Sequence, residues 1–207
     1  MSASVLLVHG GLWEAMDAEA FWRTTGIVKE LTSYGLDVLA PDRPRRASGW
    51  DVELAALGEL LANRDEPVTI VGASNGCTVA VLLALAFPDV VDRLVLAWPA
   101  TGDDGAVNAR TRAGLIERDC PPEVADRLLA GGTLRGVLDA ALPVLARIPV
   151  AIVPSVPENP AHQRKTVDAL LRSIRGSREL AGCPEPPTPG FPPYLDQLAR
   201  TIVEFVN

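Results

Sequence analysis

Val68-Thr69-Ile70-Val71-Gly72-Ala73-Ser74-Asn75-Gly76 decides how the rest of this chain is read. Four apolar or β-branched residues run into Gly-x-Ser-x-Gly, and Cys77-Thr78-Val79-Ala80-Val81-Leu82-Leu83-Ala84-Leu85-Ala86 follows as an almost unbroken apolar run. The pattern is strand, sharp turn, buried helix, with a serine at the apex. Glycines at 72 and 76 leave room for strand and helix to approach, and the central residue of such a turn is strained. The hydroxyl is then held above the end of a sheet. The backbone N–H of Asn75 opens the helix, where negative charge is favoured. A tight turn with an incidental serine fits the same five residues, so the flanking strand and helix carry the reading.

Outward from this stretch, strands alternate with helices. Val5–Val8 is a short buried strand ending in His9-Gly10-Gly11-Leu12-Trp13. Residues 18–34 have helical spacing, with Phe21, Ile27, Val28 and Leu31 on one side and Gly35 as a stop. Leu36–Ala40 reads as the second strand, and Pro41-Asp42-Arg43-Pro44 cannot continue it. A helix is expected over 50–63, and Arg93–Ala97 is the fourth strand, ending at Trp98-Pro99. Ile148–Val153 resumes the sheet, a helix is expected over 161–174, and Ser177–Leu180 is a short last strand. Residues 184–193 are dense in proline, and 194–206 form a closing amphipathic helix. Between 101 and 147 the rhythm breaks into short helices around 122–130 and 134–145. This reads as a small lid inserted in a single domain spanning 1–207. Solid apolar strands alternating with helices predict an α/β fold: a mostly parallel central sheet of about six strands, covered by helices on both faces.

Composition narrows the function. The chain has 207 residues, 48% of them hydrophobic, and a net charge of −7. An acidic chain without a basic cluster argues against nucleic acid or an anionic membrane as partner. Cys77, Cys120 and Cys183 are odd in number and far apart, which suggests neither a disulfide framework nor a zinc site. No metal, cofactor or particular oligomeric state is predicted. Met1-Ser2-Ala3-Ser4 leads into the first strand without a basic leader or a long apolar run, so a cytoplasmic setting is expected.

Four segments, in this order, resemble the α/β-hydrolase superfamily. Val8-His9-Gly10-Gly11-Leu12-Trp13 is similar to its oxyanion loop, and Ala40-Pro41-Asp42-Arg43-Pro44 to the turn after its next strand. Gly72–Gly76 is similar to the nucleophile turn. Phe87-Pro88-Asp89-Val90-Val91-Asp92-Arg93-Leu94-Val95-Leu96 resembles the family's run into the following strand. The oxyanion loop arrives by residue nine, without the pair of strands that precedes it in many members. The resemblance implies a serine hydrolase acting on an ester, thioester or similar acyl small molecule. Ser74 would attack the carbonyl carbon. The N–H groups of Asn75 and of Gly11 or Leu12 would hold the oxyanion. Trp13 and Trp98 would line an acyl pocket at the carboxyl ends of the strands.

One feature departs from the family pattern. The family places its catalytic histidine just before the closing helix, and Cys183-Pro184-Glu185-Pro186-Pro187-Thr188-Pro189-Gly190-Phe191 contains none. The chain has two histidines. His9 belongs to the oxyanion loop and is expected to support it. His162 lies after the strand whose following loop usually carries the family's acid. Pro160 suits the first turn of a helix, which would put His162 at a positive helix end and keep it neutral, as a base requires. Glu158, four residues earlier, is the candidate to orient it. The competing reading is a surface histidine beside a capping carboxylate. Asp103 and Asp104 are alternative acids, or simply a solvated pair. Arg43, Arg45 and Arg46 read as a solvated loop, Trp22 and Trp50 as helix packing, and Cys77 as a small buried filler. Two functions therefore stand: a serine hydrolase with His162 as an unusually placed base, or a non-hydrolytic protein of this fold. The second would bind a ligand or run a lyase- or isomerase-type reaction.

Overall fold

The structure is a computed structural model and describes residues 3–13, 15–62 and 64–207. Its elements in chain order are β1 (Ser4–Val8), α1 (Ile27–Ser33), β2 (Asp37–Leu39), α2 (Trp50–Ala62), β3 (Val68–Ala73) and α3 (Gly76–Ala86). They continue with β4 (Val91–Ala97), α4 (Gly105–Ile116), α5 (Pro122–Leu129), β5 (Val150–Val153), α6 (Arg164–Ser173), β6 (Arg178–Glu179) and α7 (Leu195–Val206). The six strands form one sheet in the order β2-β1-β3-β4-β5-β6, and every pairing is parallel.

Both faces of the sheet are covered, so the strands are apolar at consecutive positions. Leu6, Val8, Ile70, Leu94, Leu96 and Ile152 face one layer, built from α2, α3, α5 and α6. Val5, Leu7, Val71, Val95, Ala151 and Val153 face the other, with α1, α7, Phe21 and Trp22. Each fully buried Leu, Ile or Val contributes about 1.5–3 kcal/mol. A one-residue slip would exchange the two sets of side chains, so the register is strongly specified.

Three local expectations change. The helix expected over 18–34 is broken: a π-helical turn spans Glu19–Arg23, and α1 starts after Gly26, whose φ is 86°. Short helices are expected in 101–147 only around 122–130 and 134–145, and residues 105–116 form a further one, α4. Asp104 caps it, its Oδ1 accepting from the N–H groups of Ala106 and Val107 at 3.0 Å. The helix expected from 161 begins only at Arg164, so His162 precedes it. The expected end of the second helix, Asn63, lies outside the described residues. Residues 101–147 lie between β4 and β5 in sequence, and their Leu115, Leu128, Leu142 and Leu145 join the first apolar layer. Among the described residues, no helix is long and apolar enough to cross a membrane.

Strand order fixes where a site forms. From β1 the chain moves to one side for β2 and returns to the other side for β3. The loops after β1 and β3 therefore part at their carboxyl ends, the crevice where open α/β sheets bind ligands.

Candidate active site

Ser74 sits at the end of β3 with φ of 52°, a conformation that L-residues avoid. The turn can hold it because its two glycines have no side chains. A Cβ on Gly72 would lie 2.6 Å from Gly76 O and 2.7 Å from Ala80 Cβ, and one on Gly76 would lie 2.4 Å from Val8 O. β1, β3 and α3 thus meet more closely than any other residue would permit. The Ser74 N–H donates to Ala97 O at 2.9 Å, which ties the apex to β4.

An imidazole from the loop after β5 reaches Ser74. His162 Nε2 lies 2.8 Å from Ser74 Oγ, and its Nδ1 lies 3.0 Å from Glu185 Oε1. A carboxylate only accepts, so Nδ1 carries the ring proton and Nε2 is left to accept from the serine hydroxyl. An Asn159 turn holds the imidazole: its Oδ1 accepts from the Ala161 and His162 N–H groups at 3.0 and 3.2 Å. The helix-end setting expected for His162 is therefore replaced by this turn.

The carboxylate is Glu185, not Glu158. Glu158 Oε2 accepts from the Arg164 N–H at 2.7 Å and so caps α6. Because α6 starts two residues after His162, the carboxylate of Glu158 is used at the helix end. Glu185 is held from three sides. The Ser155 hydroxyl donates to its Oε2 at 2.7 Å, and Asn159 Nδ2 and His162 Nδ1 donate to its Oε1 at 2.7 and 3.0 Å. Burial pushes its pKa up, but the hydrogen bonds from His162 and Ser155 outweigh this and hold it at about 2. Asp103 and Asp104 are used elsewhere. Asp104 caps α4 and meets Lys165 Nζ at 3.1 Å, and Asp103 meets the same Nζ at 3.7 Å. The backbone N–H of Val107, followed by Lys165 and Gln163, lowers the Asp104 pKa to about 2.

Glu185 is the one carboxylate in Cys183–Phe191, the stretch that carries no histidine. The two partners of Ser74 have exchanged places relative to the usual chain order of serine, acid, histidine. Here the imidazole follows β5 and the acid follows β6.

The loop after β1 passes against Ser74. A Cβ on Gly10 would stand 3.0 Å from Ser74 Cβ. Among the described residues, the N–H groups of Gly11, Leu12 and Asn75 have no hydrogen-bond acceptor. Leu12 and Asn75 are buried. Arg43, expected in solvent, is buried and organises this loop. Its Nη1 reaches the carbonyls of His9, Gly10 and Gly11 at 2.9, 3.1 and 2.9 Å. Its Nε and Nη2 pair with buried Glu53 at 2.6 and 3.0 Å. The Arg43 N–H donates to His9 Nε2 at 3.0 Å, so the other ring nitrogen, Nδ1, donates to Gly10 O at 2.8 Å. Burial, then the Arg43 charge, lowers the His9 pKa to about 4, which keeps this ring neutral in its supporting role.

The two tryptophans divide. Trp13 is partly exposed, and its Nε1 donates to Arg118 O at 3.2 Å, joining the loop after β1 to the end of α4. Trp98 is wholly buried and lines no pocket surface. Its ring packs with Phe21 and Phe191, and its Nε1 donates to Cys183 O at 2.9 Å, bracing the stretch that carries Glu185. Trp22 and Trp50 are buried in the two apolar layers. Cys77 is fully buried, and burial pushes its thiol pKa far up. Among the described residues, no group of three or more His, Cys, Asp or Glu is placed to hold a metal ion.

Comparison with known proteins agrees with this architecture. No family model matches the sequence. The chain is 38% identical to lipase LipV of Mycobacterium tuberculosis over 108 residues, half of this chain and 40% of that protein. It is 35% identical to an uncharacterised protein of the same species over 99 residues, 45% of this chain and 28% of the relative. The match thus spans less than half the length of either relative. Among solved structures, bromoperoxidase from Bacillus anthracis superposes with a TM-score of 0.77 at 14% identity, covering 100% of this chain and 92% of that one. A lipase-esterase related protein from Clostridium acetobutylicum gives 0.67 at 14% identity, covering 98% and 94%. The meta-cleavage product hydrolase CumD from Pseudomonas fluorescens gives 0.69 at 18%, covering 99% and 90%. The chain has the α/β-hydrolase fold.

Proposed function

We propose that this protein is a serine hydrolase acting on an ester, thioester or similar acyl small molecule, with Ser74 as nucleophile, His162 as base and Glu185 as the acid that orients the base. The observation that carries the reading is the unbroken chain of hydrogen bonds from Ser74 Oγ through His162 to Glu185. Its support from relatives is the named lipase among them.

In the first step Ser74 Oγ bonds to the substrate carbonyl carbon while its proton passes to His162 Nε2. The carbonyl oxygen takes up the negative charge, and the N–H groups of Asn75 and of Gly11 or Leu12 are the donors for it. The bond to the leaving alcohol or thiol then breaks, and that group takes the proton from His162. Water attacks the acyl-serine in the same way, giving the carboxylic acid and free Ser74. Glu185 stays ionised throughout and stabilises the transient imidazolium. Residues 101–147 serve as a lid over the crevice. The non-hydrolytic alternative rests on the missing histidine before the closing helix, and an imidazole in contact with Ser74 Oγ supports hydrolysis instead.

The test is turnover of p-nitrophenyl acetate and butyrate, with fluorophosphonate labelling of Ser74. Ser74→Ala and His162→Ala each lower kcat by at least about 10⁴-fold, and Glu185→Gln by about 10³–10⁴-fold. Glu158→Gln stays within about twofold of wild type, because that carboxylate only caps a surface helix and its loss costs stability rather than chemistry. Turnover that survives His162→Ala, or a folded sample whose Ser74 takes no label, overturns the reading.

A further inference from the structure

A second buried arginine lies beside the nucleophile turn, and its surroundings are unlike those of Arg43. Arg135 is 4% exposed. Its Nη1 donates to Asn75 Oδ1 at 2.8 Å, its Nε to Asn108 Oδ1 at 3.1 Å, and its Nη2 to Thr111 Oγ1 at 3.4 Å. All three acceptors are neutral. Arg43, similarly buried, has the carboxylate of Glu53. Among the described residues, no carboxylate pairs with Arg135, although the chain carries 26 acidic residues against 19 basic ones. Burial lowers its pKa only to about 10, so the guanidinium is charged at neutral pH.

A buried charge without an opposite charge is unfavourable unless something completes the site. A guanidinium has five N–H donors in a planar fork. Three are engaged here and two remain. The fork is also held in advance. Arg135 O accepts from Thr78 Oγ1 at 2.7 Å, which ties its backbone to the first turn of α3. Around it the chain is packed too tightly to drift: a Cβ on Gly136 would lie 2.4 Å from the Trp50 ring, and one on Gly102 would lie 2.9 Å from Arg135 N. Arg135 thus reaches the residue next to Ser74 from a rigid turn, with a positive charge the protein leaves uncompensated.

We propose that Arg135 is the recognition point for a carboxylate carried on the acyl part of the substrate. The inference rests on the hydrolase reading of Ser74 and names the substrate class: esters or thioesters of short dicarboxylic acids. A carboxylate matches the planar fork and forms charge-assisted, two-point hydrogen bonds with it. Thr111 Oγ1, the most distant of the three partners, is the one an incoming carboxylate replaces. Asn75 and Asn108 then keep the fork aimed.

The experiment compares mono(p-nitrophenyl) glutarate, which carries a free carboxylate, with its neutral methyl ester. In wild type kcat/KM for the charged ester exceeds that for the neutral one by ten- to a hundredfold. Arg135→Gln reduces this ratio at least tenfold, and Arg135→Lys, which keeps the charge without the fork, gives an intermediate ratio. A wild-type ratio near one, or a ratio unchanged in Arg135→Gln, overturns the proposal. If the Gln variant does not fold, protection of wild type decides. Monomethyl glutarate should slow fluorophosphonate labelling of Ser74 at concentrations at least tenfold below those needed with dimethyl glutarate, and equal potency overturns the proposal. If wild type neither turns over esters nor takes label, calorimetric titration with glutarate separates the two readings. Binding weakened at least tenfold by Arg135→Lys retains the anion subsite and removes the hydrolase reading, and binding that is absent, or unchanged in that variant, removes both.

Discussion

His9 and His162 hold their ring protons on the same nitrogen for different ends. His162 offers Nε2 to Ser74, whereas His9 spends Nε2 on the Arg43 backbone and is closed to chemistry. The buried, neutral His9 makes stability depend on pH. Its folded pKa of about 4 lies below the ordinary 6.5, so the unfolded chain takes up a proton that the folded chain refuses. Stability is full above about pH 6.5 and falls as pH drops towards 4, by up to about 3 kcal/mol from this group. Urea unfolding across pH 4.5–7.5 should show the fall, and in His9→Asn the contribution of this group should vanish. An unchanged slope in that variant would contradict the assignment. Which residues were legible follows from how local their signals are. Ser74 is announced by two glycines within two positions of it. His162 emerges because the chain offers only one other imidazole. Glu185 was missed because its partners are 23 and 30 residues away across proline-rich loops, and no periodicity links them.

At the level of elements, the loop after β1 depends on one side chain. Arg43 holds three consecutive carbonyls and sits on a buried carboxylate, so its loss has two separable effects. Arg43→Met leaves Glu53 buried and unpaired, and should destabilise the fold by about 3–5 kcal/mol. Arg43→Met combined with Glu53→Met should recover most of that stability, because an apolar pair can replace a buried ion pair. The double variant should still label with fluorophosphonate at least tenfold more slowly than wild type, because the carbonyls of residues 9–11 have lost their common donor. Recovery of both stability and labelling would reduce Arg43 to a packing residue. Its burial was not legible in the sequence, since three arginines within four positions resemble a solvated loop. α4 was missed for a related reason: its Val107 and Leu115 are the buried members, too few to make an apolar stripe, and the Asp104 cap is a single residue.

At the scale of the whole molecule, the six-stranded parallel sheet was legible because the inner strands β1, β3, β4 and β5 are apolar on both faces and helical spacing recurs between the strands. The placement of His162 and Glu185 beside Ser74 was not, since it depends on which loop end faces Ser74 once the strands are laid side by side. The parallel pairing of β4 with β5, from Leu94↔Val150 to Ala97↔Val153, has a further consequence. It divides the proposed machinery at one seam: Ser74 and both oxyanion loops belong to the four strands before it, and His162 and Glu185 to the two strands after it. The protein is in effect a coincidence detector, in which reactivity at one serine reports that the two parts have met. Residues 1–147 and 148–207 produced as separate chains should each leave Ser74 unlabelled, and mixing them should restore labelling in step with reassembly of the sheet. Labelling of the first chain alone at the wild-type rate would mean that Ser74 owes its reactivity to nothing beyond the seam.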